Sequence, residues 1–282
     1  MYEQFYGLNT NPFTLETDPK WLFLSETHRG ALGMLEYAIL QHSAFSVITG
    51  PIGSGKSTLA AKILEQIDES MNVAHLNFVH SDMGSMLAWI LYGFGQEYES
   101  SNRITLYDRL KTFCQEQVKL SRRNVVLIDE AQNLTGPQLE EIRTIANLNF
   151  GSTQALQILF IGQPEFRDTL AAPALEQLRQ RIAVDYSILP LSVRETDEYI
   201  GHRLTGAGCD YAIFGHGAVD FIHSMTGGTP RKINILCDTL LSYGYLDEVR
   251  IVDQDYAIEV MKDRSRSGMV ALGIGATATA GR

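Results

Sequence analysis

A glycine-rich segment near residue 50 has the residue types and the spacing needed to hold a chain of phosphates. A first glycine is followed by four residues and then by Gly55-Lys56-Ser57, between an apolar run and a region of helical periodicity. Glycines let a backbone wrap closely around phosphates and direct its N–H groups at them. The start of a helix adds partial positive charge. We therefore predict a phosphate-binding loop, which comprises Gly50, Pro51, Ile52, Gly53, Ser54, Gly55, Lys56, Ser57 and Thr58.

Two side chains of this loop have functional groups suited to a bound nucleotide. Lys56 can reach the β- and γ-phosphates, and the hydroxyl of Ser57 can ligate Mg²⁺. A plain glycine turn with a solvated lysine is the alternative, but the strand–loop–helix context favours the phosphate loop. ATP and Mg²⁺ are therefore the expected cofactors.

Two carboxylates, Asp129 and Glu130, directly follow an apolar run at residues 125–128. A continuous apolar run is typical of a strand buried on both faces of a parallel sheet, and ligands bind at the carboxyl ends of such strands. Asp129 is then expected to hold Mg²⁺, and Glu130 to polarise the attacking water. Acidic residues also cap helices after strands, so the pair alone is weak evidence for catalysis. The phosphate loop upstream favours the catalytic interpretation.

Gln163 follows the next apolar run, at residues 156–161, and is also expected at the carboxyl end of a strand. Its amide can hydrogen-bond to the γ-phosphate or to the attacking water. The alternative is that it only caps the turn before Pro164.

Arg179 and Arg181 stand at the end of a predicted helix, just before a strand expected at residues 184–189. One of them could point across a subunit interface to the nucleotide of a neighbour, as an arginine finger. Solvated charge, or ion pairs with Glu176 and Asp185, fits their position equally well.

Arg231 follows Thr229 and Pro230, which are residue types that start a helix. A cation in the first turn opposes the helix dipole, which suggests that Arg231 serves a ligand phosphate. An ion pair with Asp238 or another acidic residue is the alternative.

The elements that must position these residues alternate between strands and helices as far as residue 190. Apolar runs predict strands at residues 45–49, 73–78, 125–128, 156–161 and 184–189. Helical periodicity predicts helices at residues 25–42, 56–67, 82–94, 103–120 and 137–148. This alternation predicts an α/β fold whose parallel sheet carries helices on both faces.

Beyond residue 191 the patterns are helical only, at residues 192–205, 216–225, 230–244 and 253–262. We therefore expect an α/β nucleotide-binding domain at residues 1–190, including an N-terminal segment at residues 1–24. A small helical domain is expected at residues 191–263. The remainder, residues 264–282, is rich in Gly, Ala and Thr and is expected to be a disordered tail.

The composition is that of an ordinary globular protein. Of 282 residues, 45% are hydrophobic and 20% charged, which suffices for a core and excludes a disordered chain. The net charge of −10 lowers the expectation of a protein that coats nucleic acid. The three cysteines form no CxxC pair, which indicates reduced thiols in a cytosolic chain.

Neither a signal peptide nor a membrane span is predicted. The start of the chain lacks a basic region followed by an apolar one. The apolar stretches are shorter than the roughly 20 residues that a spanning helix needs. We expect a cytoplasmic protein that reaches the inner membrane only through a partner.

In their order and spacing, these motifs resemble an AAA+ ATPase, and more narrowly the general secretion pathway protein A family (the ExeA/GspA type). The resemblance covers about residues 1–263. It rests on residues 5–8 with 11–13, 23–25 with His28, 49–58, 127–134, 162–165, 177–182 and 227–237. Residues 1–7 and 243–247 look most like the short branch found with exosortase and exopolysaccharide-export loci.

The resemblance implies a P-loop NTPase fold of the AAA+ type with an all-helical lid domain, which hydrolyses ATP as a homo-oligomer. It makes residues 50–58 the Walker A loop and the pair Asp129 and Glu130 the Walker B acids. Gln163 would then be sensor 1, and Arg231 would be sensor 2.

Three further roles are implied less directly. Arg181 would be the arginine finger, with Arg179 as the alternative. Pro12 and Phe13 lie where the N-terminal segment of the family would touch adenine, and ordinary core packing is the competing interpretation of both.

Three functions compete at this point. The first is an oligomeric ATPase that energises or regulates an envelope secretion or exopolysaccharide export system through a protein partner. The second is a DNA-associated AAA+ regulator that resembles the TniB transposition type, with basic contacts from Arg122, Arg123 and residues 262–266. The third is a small-molecule phosphotransferase. This class needs no separate helical domain, so the helical domain predicted here argues against it.

Overall fold

The computed structural model describes residues 1–16, 18–65, 69–77, 84–100, 102–150 and 153–266. The chain forms two compact units. The α/β unit comprises residues 26–52 and 56–188. The helical unit comprises residues 1–25, the loop residues Gly53–Gly55, and the chain from Leu189 onwards.

The regular elements follow in chain order. The helices are α1 (Glu3–Tyr6), α2 (Glu26–Leu40), α3 (Lys56–Glu65), α4 (Met86–Gly93), α5 (Arg103–Lys119), α6 (Gly136–Ile145), α7 (Glu165–Leu170), α8 (Glu176–Arg179), α9 (Val193–Gly206), α10 (His216–Thr226), α11 (Pro230–Leu246) and α12 (Gln254–Arg266). The strands are β1 (Phe45–Thr49), β2 (Met71–Leu76), β3 (Arg123–Ile128), β4 (Asn149–Phe150), β5 (Thr153–Gln154), β6 (Gln157–Gly162) and β7 (Ile182–Ser187).

Five strands of the α/β unit form one parallel sheet in the order β2-β3-β6-β1-β7. These are the five strands that the apolar runs predict, and the predicted α/β fold class is confirmed. β4 and β5 pair antiparallel as a separate short hairpin. Because all five strands are parallel, the loop that follows β1 lies at the same carboxyl edge of the sheet as the ends of β3 and β6.

Side chains of the central strands alternate between two apolar layers. Ile128 of β3 and Phe160 of β6 pack with helices α4 to α8, whereas Leu127 and Ile161 pack with α2 and α3. Full burial of such a side chain stabilises the fold by about 1.5–3 kcal/mol. Burial on both faces explains why these strands are continuous apolar runs in the sequence.

The element boundaries lie close to those predicted. The helix expected from residue 137 begins at Gly136, because Thr135 and Gln138 form a reciprocal capping box in front of it. The predicted end of β2 at residue 78 and the predicted start of α4 at residue 82 lie outside the described residues, as does the predicted end of α3.

The helical unit combines α9 to α12 with the N-terminal segment. Phe13 and Trp21 are buried in its core, and the Phe13 ring lies 6.1 Å from that of Phe214, edge to face. Arg203 of α9 donates hydrogen bonds to the carbonyl oxygens of Pro12 and, at 2.9 Å, Thr14. The sequence analysis groups residues 1–24 with the α/β domain. In the structure, Phe13 and Trp21 pack in the core of the helical unit instead.

The end of the described chain is helical. α12 continues to Arg266, so the first three residues of the expected tail belong to it, and the rest of that tail lies outside the described residues. Across the described ranges, no helix is both long enough and apolar enough to cross a membrane.

Candidate nucleotide-binding site

The glycine-rich loop connects β1 directly to α3, as the sequence predicts. The amide of Gly50 donates a hydrogen bond to the carbonyl oxygen of Gly162, at 3.1 Å, which ties the start of the loop to the end of β6. Gly53 and Gly55 have φ angles of +77° and +96°. L-residues rarely adopt such angles, so glycine is required where the loop turns.

Lys56 is a buried cation at the start of α3. Its side chain is enclosed, with the residue only 6% exposed, and Nζ donates to the carbonyl oxygens of Gly50 at 2.8 Å and Pro51 at 3.0 Å. Burial lowers the pKa of Lys56, while the carboxylates of Glu130 and Asp129 act in the opposite direction. The loop lysine and the acidic pair therefore interact electrostatically within the α/β unit.

Asp129 lies at the end of β3 and is 6% exposed. Its amide donates to the carbonyl oxygen of Leu76, and its own Oδ1 accepts from the amide of Glu130, both at 2.9 Å. These bonds fix the carboxylate at the carboxyl edge of the sheet.

The donor chemistry available here fits Mg²⁺. A hydroxyl from Ser57 and a carboxylate from Asp129 are hard oxygen ligands, and Mg²⁺ is usually held by one or two carboxylates together with substrate phosphates. Within the part of the chain that the structure describes, no cluster of three or more His, Cys, Asp or Glu side chains forms a metal site of its own. A magnesium ion shared with bound phosphates is consistent with both observations.

Glu130 adopts a left-handed backbone conformation, with φ 53° and ψ 40°. For a residue other than glycine this costs on the order of 1–3 kcal/mol. Its Oε2 accepts hydrogen bonds from the side-chain amides of Gln132 and, at 3.4 Å, Gln163. The structure thus brings together Glu130 and Gln163, which the sequence analysis identifies separately.

The sequence analysis missed two polar residues beside the acidic pair. Gln132 contacts Glu130, and the available sequence signals were its position two residues later and its place in the stretch 127–134 that carries the family resemblance. His75 stands in β2, where burial lowers its pKa and the nearby Asp129 opposes that shift. Its Nε2 is buried and has no hydrogen-bond partner among the described residues. A histidine among the mostly apolar residues of this strand was the available signal.

The two candidate finger arginines differ in their surroundings. Arg181 donates hydrogen bonds to the side chain of Asn147 and, at 3.2 Å, to the carbonyl oxygen of Ala146. Its guanidinium also lies 5.2 Å from the centre of the Phe45 ring, and burial lowers its pKa. Arg179 is exposed and makes no hydrogen bond or ion pair with the described residues.

Arg231 lies in the first turn of α11 and is exposed. Its backbone amide donates to the carbonyl oxygen of Gly53, at 3.1 Å, within the helical unit. A Cβ on Gly53 would lie 2.5 Å from the Cβ of Arg231, so only glycine fits. Asp238, the alternative partner of Arg231, instead accepts hydrogen bonds from Tyr2 and Asn11.

Pro12 and Phe13, the candidate adenine contacts, are both buried in the helical unit. Phe13 is only 2% exposed. Core packing, the competing interpretation of these two residues, describes their surroundings in this structure.

Comparison with known sequences identifies an AAA domain at residues 39–170. General secretion pathway protein A from Aeromonas hydrophila is 37% identical over 242 residues. That similarity covers 86% of this chain and 44% of the Aeromonas protein, so the chain spans less than half the length of this relative.

Solved structures share the fold. The ORC2 protein of Aeropyrum pernix, in ADPNP–ADP complexes, has a TM-score of 0.63 at 13% identity and covers 90% of this chain and 71% of its own. Cdc6p from Pyrobaculum aerophilum has a TM-score of 0.64 at 11% identity, with 89% and 70% covered. The RuvB branch-migration motor of Thermotoga maritima has a TM-score of 0.54 at 17% identity, with 85% and 69% covered.

Proposed function

Because the chain is an AAA-domain protein, similar over most of its length to general secretion pathway protein A, we propose that it binds ATP with Mg²⁺ and hydrolyses it. The observation that carries the proposal is the buried Lys56 ammonium, which the loop after β1 holds at the same edge of the parallel sheet as Asp129 and Glu130. A fixed cation beside two carboxylates, at the end of a glycine loop, suits a phosphate chain with a divalent ion.

The loop and the metal ligands bind and orient the nucleotide. Backbone N–H groups of the loop residues that follow Pro51, together with the N-terminus of α3, would receive the phosphates. Lys56 exchanges its carbonyl partners for β- and γ-phosphate oxygens. Ser57 and Asp129 would hold Mg²⁺, which would neutralise charge on the phosphates.

The remaining residues at this edge of the sheet act on the attacking water. Glu130 orients the water and accepts its proton. Gln163 directs its amide at the γ-phosphate or at the same water. The hydrogen bond from Gln163 to Glu130 supports these two roles, because it keeps the proton acceptor and the amide next to each other.

Hydrolysis is proposed to require a neighbouring copy of the chain, which would supply an arginine for the transition-state charge, as the family resemblance implies. Arg181 remains the candidate that the family resemblance favours, and Arg179 is the more exposed of the two. Arg231 is proposed to contact the nucleotide phosphates as sensor 2. Pro12 and Phe13 are buried in the helical unit. To contact adenine, the N-terminal segment would have to change its conformation so that these two residues become accessible.

The cellular role is proposed from the relative's name. The name general secretion pathway protein A supports a role in which this chain energises or regulates an envelope secretion system. The alternative role, in exopolysaccharide export, is proposed from the resemblance of residues 1–7 and 243–247 alone. It would act from the cytoplasm, as a homo-oligomer, and reach the inner membrane through a protein partner. If the role is correct, a strain with Lys56→Ala in place of the natural chain loses export although the protein is still produced.

DNA binding is the competing function. Arg122 and Arg123 are adjacent basic residues at the start of β3, next to His42 in a surface depression. The net charge of −10 weighs against it. Tight binding to duplex DNA in the ATP state, with a steep salt dependence, would favour the transposition-type regulator instead.

The enzymatic proposal is tested by ATP hydrolysis with a matched pair of lysine variants. Lys56→Ala removes the buried cation and is expected to abolish hydrolysis and weaken nucleotide binding. Lys62→Ala, on the same helix, removes a lysine that pairs with Glu65 and is expected to hydrolyse ATP like the parent. Equal rates for Lys56→Ala and the parent would reject the proposed site.

A further inference from the structure

The side-chain amide of Gln132 joins two residues of the proposed catalytic site. Its Nε2 donates to Oε2 of Glu130, and its Oε1 accepts from the backbone amide of Gln163 at 2.9 Å. Glu130 follows β3 and Gln163 follows β6, which are neighbouring strands. One glutamine side chain therefore connects the ends of these two strands.

Gly162 lies close to the side chain and backbone of Gln132. A Cβ on Gly162 would lie 3.1 Å from Oε1 of Gln132 and 3.4 Å from its backbone nitrogen. The glycine before Gln163 thus gives the amide its access to the Gln163 backbone. The left-handed turn at Glu130 in turn directs the chain into the short helix at Ala131–Asn133, which carries Gln132.

The bridge also constrains the Glu130 carboxylate. Its Oε2 accepts from both Gln132 and Gln163, so two amide donors fix one oxygen while Oε1 remains available to a water. If Gln163 turns its amide toward a γ-phosphate, Gln132 still holds Glu130. Orientation by a fixed neighbour matters because a 1 Å misplacement of a reacting group can cost about 100-fold in rate.

We infer that Gln132 is a positioning residue for hydrolysis, which aligns the Glu130 carboxylate with the water and couples it to Gln163. It acts through Glu130 and touches neither the nucleotide nor the water. The inference rests on the proposed ATP hydrolysis, and it adds a residue that works on the rate of the chemical step rather than on nucleotide binding.

Steady-state hydrolysis with three variants tests the inference. Gln132→Ala is expected to lower kcat by about 10–100-fold while KM and the affinity for a fluorescent ATP analogue change by less than about twofold. Gln132→Glu keeps the acceptor for the Gln163 amide but repels Glu130, so it is expected to lose at least as much. Gly162→Ala places a Cβ 3.1 Å from Oε1, which crowds the bridge without changing residue 132, and kcat is expected to fall as in Gln132→Ala.

Gln154→Ala is the matched control. Gln154 donates to the carbonyl oxygens of Ala146 and Leu156. Gln154→Ala therefore removes two hydrogen bonds within the same α/β unit, neither of which involves Glu130. Its kcat should stay at the parent value. An unchanged or raised kcat in Gln132→Ala would overturn the inference, and so would a loss confined to nucleotide affinity.

A measurement without nucleotide separates this inference from the proposed function. The side-chain amide resonances of Gln132, observed by ¹⁵N NMR, are expected to shift in Glu130→Ala and to stay in place in Lys62→Ala. If the parent fails to bind or hydrolyse ATP although these resonances shift, the proposed function fails and the bridge stands. If they do not respond to Glu130→Ala, the bridge itself is absent.

Discussion

Arg181 donates a hydrogen bond to the carbonyl oxygen of Ala146, at 3.2 Å, and so closes the C-terminal end of α6 in its own chain. A cation at this end of a helix is favourable, because it meets unpaired carbonyl groups and the negative end of the dipole. To reach the nucleotide of a neighbouring copy, Arg181 would have to leave this carbonyl and the side chain of Asn147. The side chain of Arg179 makes no such bond with the described residues.

Mixing experiments decide whether either arginine acts in trans. The variant that lacks the finger and the Lys56→Ala variant should each be nearly inactive, since a finger contributes about 10³–10⁵ in rate. Mixed together they should regain part of the activity, because some interfaces then pair an intact loop with an intact arginine. Arg179→Ala and Arg181→Ala, run in parallel, identify the residue.

The trans arrangement also predicts that specific activity rises with protein concentration. Activity that is independent of concentration down to the monomer would exclude a trans finger. So would two inactive variants that form mixed oligomers without recovering any activity.

The N-terminal segment is expected to depend on Arg203 for its place in the helical unit. The Arg203 guanidinium bonds two carbonyl oxygens of the segment and lies 4.6 Å from the centre of the Trp21 ring. Hydrogen bonds to charged groups contribute about 1.5–3 kcal/mol each, so Arg203→Ala should destabilise this unit and speed proteolysis of residues 1–25. Limited digestion followed by mass spectrometry measures the effect.

Arg194→Ala is the control for that experiment. Arg194 lies on the same helix with an 88% exposed side chain and pairs with Glu198. Exposed pairs contribute about 0–1 kcal/mol, so its digestion should match that of the parent. Equal digestion of both variants would mean that Arg203 does not anchor the segment.

The thiol of Cys114 is predicted to be unreactive in the folded protein. Burial raises the pKa of Cys114 to about 12 from 9.0, so the reactive thiolate is scarce at neutral pH. The unfolded chain loses this proton more readily. The corresponding stability is therefore complete below pH 9 and is lost as the pH rises toward 12. Alkylation at about pH 8 should label Cys114 only after denaturant is added, and rapid labelling of the native protein would contradict its burial.

Local patterns were sufficient to predict the five strands of the sheet, and to predict that Asp129 and Gln163 follow two of them. The strand before Asp129 and the strand before Gln163 are apolar because both of their faces are covered, and that is visible in the sequence. The short helix α7 and the hairpin of β4 and β5 were missed, since six-residue and two-residue elements carry too little periodicity.

Contacts between distant parts of the chain were beyond local patterns. In the helical unit Phe13 packs against the ring of Phe214, which lies far away along the chain. The bonds of Arg181 to the end of α6, and the bridge from Gln132 to the Gln163 amide, likewise join separate elements. The sequence shows that Arg181 and Gln132 can form hydrogen bonds. Only the folded structure shows which groups they bond to.

The most direct test of the proposed ATPase is a paired measurement of ATP binding and hydrolysis by Glu130→Gln. The substitution removes the proton acceptor and leaves Lys56, Ser57 and Asp129 in place. We predict that this variant binds ATP with Mg²⁺ as tightly as the parent and hydrolyses it about 10²–10⁴-fold more slowly. Hydrolysis at the parent rate would contradict the proposed site, and a folded variant unable to bind ATP would mean that Glu130 supports the structure rather than the reaction.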